Sequence, residues 1–128
     1  MKLNPDCIRD ILLVIEELSN NINFIYSREL IKYLPQYDSV EILYHVKQME
    51  MSNLIIIPLN SFSLDGSYLI KDLTPNGHKL IADIRKENNW KKTKEIASKV
   101  GSFSLDAIST ISSNIISKLI TNQLGLPS

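Results

Sequence analysis

The segment from Asp38 to Trp90 constrains the fold more than any other part of this chain. It opens with a helical run. Two short apolar runs follow, separated by an Asp-Gly turn signal, and we expect residues 55–57 to pair antiparallel with residues 68–70. Another helix should begin at Thr74-Pro75, because threonine caps helices and proline suits the first helical position. With two helices before it, this order predicts a winged helix-turn-helix.

Local signals mark where the other helices begin and end. Asn4-Pro5-Asp6 predicts the start of the first helix, which should end around residues 20–23. Ser27 is expected to cap a short second helix that stops at Pro35. Asn53 is expected to adopt the left-handed conformation that ends the third helix.

The C-terminal part of the chain predicts two further helices. One runs from about residue 89 to residue 99 and is broken at Gly101-Ser102, and the next is capped by Ser104. The fold class predicted is mainly α with a small β-hairpin. It consists of a winged-helix-like core over residues 1–88 and a C-terminal helical extension over residues 89–128, packed on the core or on a second subunit.

Charge and cysteine content limit the classes of function. The 128 residues carry 14 basic and 14 acidic side chains, so no net charge attracts nucleic acid or an anionic membrane. Residues 1–64 hold five Lys/Arg against eight Asp/Glu, and residues 65–128 hold nine against six. A single cysteine excludes an internal disulfide, and with only two histidines it cannot form a zinc cluster.

The same considerations predict the compartment. Acidic residues and a proline precede any apolar run at the start of the chain, which is unlike a signal peptide. The apolar stretches are shorter than the roughly 20 residues that a membrane span needs. We therefore expect a cytoplasmic protein that does not contact the membrane.

Several motifs together resemble a known family. They are the Gly77-His78 pair after the Thr74-Pro75 cap, the run Trp90-Lys91-Lys92-Thr93-Lys94, the closing Asn122-Gln123-Leu124-Gly125-Leu126 and the first ten residues. This pattern resembles an uncharacterised bacterial and phage family, domain of unknown function 2513. Asn53 stands where similar sequences usually have glycine. The resemblance implies a small winged-helix-like protein, often carried by phages and prophages, and it brings no catalytic residues.

The third helix is the expected recognition helix, since this helix enters the major groove in winged helix-turn-helix proteins. Its outward face offers the polar nucleic-acid-binding candidates Ser39, Tyr44, Lys47 and Gln48. It also offers the apolar interface candidates Val40, Leu43 and Met51. The helix is net acidic, whereas DNA binding favours cations and base-reading amides. This face either contacts DNA or packs against another helix or subunit.

A basic run and the last helix supply the remaining candidates. The nucleic-acid-binding candidates of the run are Arg85, Lys86, Lys91, Lys92 and Lys94. They form either a solvated surface or a patch that contacts phosphates without reading sequence. Trp90 is expected to be a core anchor. The interface candidates of the last helix are Ile108, Ile111, Ile115 and Leu119, which pack inside the monomer or across a two-fold axis.

No residue pattern predicts catalysis, a cofactor, a small-molecule substrate or a metal. His45 and His78 lack a catalytic partner in the sequence, and Cys7 lies in an apolar-rich helix where burial makes a thiol inert. The sequence therefore predicts a non-enzymatic binding module and leaves two classes open. One is a DNA-associated regulator with weak, non-specific affinity. The other is a protein-interaction module that dimerises or binds a host protein.

Overall fold

The computed structural model describes residues 1–20, 24–59, 61 and 65–127. Within these residues the chain is mainly helical, with two small antiparallel sheets of two strands each. The helices are α1 Pro5–Leu18, α2 Ser27–Tyr33, α3 Ser39–Met51, α4 Pro75–Ile84, α5 Glu87–Val100 and α6 Leu105–Gln123. The strands are β1 Ile25–Tyr26, β2 Ile55–Ile56, β3 Leu69–Ile70 and β4 Asp72–Leu73.

The chain forms two compact units, Met1–Lys79 and Leu80–Ser128, whose boundary falls within α4. The predicted division at residue 88 stays a prediction. Each unit is described separately below.

Four side chains cap helices through hydrogen bonds, and three of them, Asn4, Thr74 and Ser104, were predicted. The side chain of Asn4 accepts from the backbone N–H of Asp6 at the start of α1. Asp38 does the same for α3 and Ser104 for α6, and Thr74 Oγ1 accepts from the N–H of Gly77 in α4. Each such bond satisfies a backbone donor that the helix itself leaves unpaired, and is worth about 1 kcal/mol.

The expected cap of α2 was wrong. Ser27 is the first helical residue and is buried, and its Oγ accepts the backbone N–H of Tyr68 at 2.8 Å. At the N-terminal end of α2 the capping bond comes instead from Glu29, whose carboxylate accepts the backbone N–H of Tyr26 at 3.1 Å. A serine before an apolar run signals a cap locally, but a partner 41 residues away in sequence is invisible to that signal.

The predicted strand pairing was wrong in register. Residues 55–56 pair with residues 72–73, not with residues 68–70, and residues 69–70 pair with β1, which was not predicted. Lys71 joins β3 to β4 and donates its N–H to the carbonyl of Ile56. The run from residue 69 to residue 73 therefore has β1 beside its first half and β2 beside its second half.

Two of the predicted turns fall partly on residues 21–23, 60 and 62–64, which lie outside the described part of the chain. Where the second turn is described, Asp65 accepts the N–H of Ser67, and Gly66 has a φ of 86°. Asn53 has a φ of 60°, as predicted for the residue that ends α3.

The core of the first unit forms where α1 packs on α3. Its buried side chains repeat at helical spacing: Ile8, Ile11, Leu12 and Ile15 on α1, and Ile42, Val46 and Met49 on α3. Burying one such side chain is worth about 1.5–3 kcal/mol. This packing leaves the opposite side of α3 facing outward.

In the second unit α5 packs on α6. Trp90 is buried, as predicted, and Ala97 and Ile108 are buried as well. The helix α5 begins two residues earlier than predicted and ends at Gly101, whose φ of 79° is the left-handed conformation typical of a helix end. Among the helices of the described residues, none combines the length and apolar character that a membrane span requires.

Candidate interaction surfaces

The outer face of α3, centred on Val40, Lys47 and Met51, is the first candidate surface. Val40 is 63% exposed and Met51 is 61% exposed. They lie eleven residues apart, which is about three helical turns, so they share one side of the helix over roughly 17 Å. The surface is therefore an apolar stripe with one cation at its centre.

The charges around this stripe do not favour a polyanion. The Nζ of Lys47 lies 2.8 Å from Glu50 Oε1, and this hydrogen bond raises the pKa of Lys47. The side chain of Asp38 caps the helix next to Val40. A phosphate would have to compete with Glu50 for the lysine and approach two carboxylates, which weakens the attraction on which DNA binding relies.

The other candidates on α3 are placed less uniformly. Ser39 is exposed, and Leu43 and Gln48 are half-buried. Tyr44 is half-buried, and its hydroxyl donates to the carbonyl of Met1 at 3.1 Å. That contact holds the tyrosine against the N-terminal segment, so among the polar candidates only Ser39 and Lys47 are exposed.

His45 has two backbone hydrogen-bond partners. His45 is completely buried, its Nδ1 lies 2.8 Å from the carbonyl of Glu41, and its Nε2 accepts the N–H of Asn4 at 2.8 Å. These bonds fix the neutral tautomer with the proton on Nδ1, because Nε2 must be the acceptor. The histidine thus ties the N-terminal cap of α1 to α3.

The basic run lies at and after the end of α4. Arg85 and Lys86 are exposed in the link before α5, and Lys91 and Lys92 are exposed on α5. Lys94 is half-buried, and its Nζ lies 5.3 Å from the centre of the Trp90 ring. The side chains therefore do not form one uniform patch, although four of the five cations are exposed.

A groove in the second unit is the other candidate surface. We call it the α6 groove, and its volume is about 420 Å³. Its lining residues come from the end of α4, the link, the first turn of α5 and the last turns of α6: Ala82, Arg85, Lys86, Asn89, Ile116, Leu119, Ile120, Gln123 and Leu124. Ile120 is 54% exposed and Leu124 is 66% exposed, so the apolar part of the groove is open to solvent.

The sequence prediction covered only part of this groove. Leu119 was an interface candidate, whereas Leu124 was not. Leu124 stands four residues after Ile120, which is the spacing of neighbours on one helix face, so the signal was present. The link residues could not be associated with α6 from sequence, because only packing brings the two segments together.

The remaining candidates of α6 lie elsewhere on the helix. Ile108 is buried within the chain. Ile111 and Ile115 are half-buried and line a smaller depression of about 220 Å³ together with Ile96, Asn114 and Lys118. The homodimer itself stays a prediction.

A polar cluster in the first unit was not anticipated. Ser19 Oγ donates to Asp72 Oδ1 at 3.0 Å, and His78 Nε2 lies 4.0 Å from the same oxygen. A serine nucleophile must donate its proton to a histidine base. Here the serine donates to the carboxylate, so the geometry is not that of a hydrolytic triad.

Two findings describe the chemistry of the other reactive groups. Cys7 is buried as predicted, and burial raises the pKa of its thiol to about 12. Within the described residues, no group of three or more His, Cys, Asp and Glu side chains could hold a metal ion.

Comparison with known proteins identifies relatives of the chain. The family model described as "Hypothetical protein (DUF2513)" matches residues 2–104 and ends at the residue that caps α6. An uncharacterized protein of Haemophilus influenzae is 34% identical over 121 residues, covering 94% of this chain and 99% of the relative. No solved structure gives a significant match.

Proposed function

Because the chain belongs to the DUF2513 family of hypothetical proteins, we propose that it is a non-enzymatic, winged-helix-type binding module of phage or prophage origin whose α3 binds a protein partner. The partner is a host protein, met in the reducing cytoplasm that the single cysteine favours.

The order of elements in the first unit supports the winged-helix assignment. A helix, a short strand, two helices joined by a five-residue link, and three short strands follow one another from α1 to β4. The third helix of this order is α3, which stands where a winged helix-turn-helix places its recognition helix.

The exposed Val40 and Met51 on the outer face of α3 carry the choice of a protein partner. Protein interfaces are built around apolar anchors in a fully desolvated centre, with polar groups at the rim. Lys47, paired with Glu50, fits such a rim. A DNA-reading helix instead presents Arg, Lys, Asn or Gln to base edges.

The state of two reactive side chains, Cys7 and His45, supports the non-enzymatic assignment. The thiol of Cys7 stays protonated at neutral pH because its pKa is raised to about 12, and the thiolate is the nucleophilic form. Both ring nitrogens of His45 are occupied by backbone groups. Neither side chain is available for proton transfer.

The test compares the wild-type protein with the double variant Val40→Ser, Met51→Ser. Proteins captured from a bacterial lysate are identified, purified and titrated against both forms. We expect the double variant to bind at least about tenfold more weakly, since each lost anchor costs on the order of 1 kcal/mol or more. Val100→Ser is the matched control, because Val100 is exposed on α5. Equal affinity of the wild type and the double variant would reject α3 as the binding surface.

Non-specific DNA binding by the exposed cations is a second candidate function. It is favoured by the exposure of Arg85, Lys86, Lys91 and Lys92. Affinity for a labelled duplex should fall with salt, and the double variant Lys91→Glu, Lys92→Glu should weaken binding to all sequences alike. A salt-insensitive, sequence-selective complex unaffected by this variant would exclude the basic run.

A further inference from the structure

We infer that the α6 groove binds an amphipathic helix of another protein, with apolar side chains along one face and carboxylates beside them. This surface lies in the second unit and is independent of the outer face of α3.

The first argument is that α6 changes from a covered to an uncovered helix along its length. Ile108 and Ser112 are buried in its first half. Leu119 follows Ile108 by eleven residues, about three turns, and so continues the same face, yet it is 38% exposed. A face that is buried in one half and open in the other has room for a further helix.

The second argument is the size of the apolar surface. Ile116, Leu119, Ile120 and Leu124 line the groove within eight residues, about 12 Å of helix. This length matches two to three turns of a bound helix, whose anchors would stand at i, i+3 or i+4, and i+7. A concave groove of this length fits a helix better than a flat surface does.

The third argument is charge complementarity, which selects the occupant. Arg85 and Lys86 line the groove and are exposed, and none of the described residues that line it is acidic. Carboxylates on the flank of a bound helix would meet these cations. If two copies of this chain paired groove to groove, their Arg85 and Lys86 side chains would be brought together, so a second copy is the poorer occupant.

The test uses two fluorescent peptides of about 18 residues, long enough for five helical turns. Both carry leucines at i, i+3 and i+7, and they differ only in flanking Glu or Lys. In fluorescence anisotropy we expect the Glu peptide to bind and the Lys peptide to bind at least about tenfold more weakly. Ile120→Ser should weaken binding of the Glu peptide by a similar factor, and Val100→Ser should leave its affinity unchanged.

Charge reversal then identifies the rim. Lys86→Glu should weaken binding of the Glu peptide and strengthen binding of the Lys peptide. Lys92 lies outside the groove, so Lys92→Glu should change neither affinity. Thermal melting of each variant confirms that it is folded. The inference is overturned if the Glu peptide does not bind, if the two peptides bind equally or if Ile120→Ser has no effect. A further outcome is a dimer that Ile120→Ser dissociates and that the Glu peptide does not displace. That result would assign the groove to a second copy.

Discussion

Gly77 is the residue whose small size the fold requires most directly. A Cβ added at this position in the first turn of α4 would collide with the backbone carbonyl oxygen of Leu54, and it would also crowd Leu73. Backbone atoms cannot rotate away as a side chain can. In an exposed helix, replacing glycine by alanine stabilises by about 1 kcal/mol, so steric and conformational effects oppose each other here.

We expect the collision to decide the outcome. Gly77→Ala should lower the free energy of unfolding by at least about 1 kcal/mol, and Gly77→Leu by more. Urea denaturation measures the effect, with Asn76→Ala in the same helical turn as the control, because Asn76 is exposed. A Gly77→Ala protein as stable as the wild type would show that this packing is not tight.

We expect Cys7 and Tyr37 to make the folded protein less stable at alkaline pH. Burial raises the pKa of the Cys7 thiol from 9.0 to about 12. Burial and the hydrogen bond from Tyr37 to Asp10, at 2.7 Å, raise the pKa of Tyr37 as well. Below pH 9 the thiol is neutral in both states. Above it, only the unfolded chain ionises readily, so the free energy of unfolding should fall as pH rises from about 9 to 12.

The slope of the free energy of unfolding against pH identifies the groups that ionise. Each contributes up to about 1.4 kcal/mol per pH unit between its unfolded and folded pKa. Cys7→Ala should flatten the fall above pH 9 and Tyr37→Phe the fall above pH 10, as measured by denaturation at pH 8, 9, 10 and 11. The same burial predicts that a thiol reagent at pH 8 labels Cys7 only after unfolding. Rapid labelling of the native protein would contradict the buried thiol.

Among the elements, β1 and β3 depend on a side chain that belongs to neither strand. Ser27 Oγ accepts the N–H of Tyr68, next to the pairing of Tyr26 with Leu69. Ser27→Ala would leave that N–H without its acceptor, which costs about 1–3 kcal/mol for a buried group. We expect faster hydrogen exchange at the Tyr68 amide, measured by NMR. Ser98→Ala on the exposed face of α5 is the control, and an unchanged Tyr68 amide would contradict the role of Ser27.

The helices and the positions of β2 and β3 were predictable, whereas the strand pairing was not, for one physical reason. A helix is closed by bonds between neighbours, so caps such as Asp38 and breakers such as Gly101 mark its ends in the sequence. The strand pairs here have two residues each, and β1 meets β3 across more than forty residues. Nothing local to Ile25 announces such a partner, and the turn signal at Asp65-Gly66 located the hairpin without fixing its register.

For the whole molecule, self-association is the remaining prediction. The sequence favours a homodimer involving α6, and Leu119, Ile120 and Leu124 are exposed. Pairing two α6 grooves would also bring Arg85 and Lys86 of both copies together. We therefore expect light scattering to show a monomer mass at low salt and any groove-to-groove dimer only at high salt, where repulsion is screened. A stable dimer at low salt would show that such a dimer avoids this repulsion or uses another surface.

The sequence by itself determined the helices and their apolar faces. It also determined the net acidic charge of α3 and the apolar residues on its outward face. Each of these follows from residues within one or two helical turns. It also placed Trp90 and Cys7 in the interior. Only the tertiary structure decided the strand pairing, the burial of Ser27 and the bond between His45 and Asn4, since their partners are distant in sequence. The α6 groove was likewise decided only by the tertiary structure. Its apolar side chains were readable along α6, but Lys86 joins them only because the chain folds back on itself.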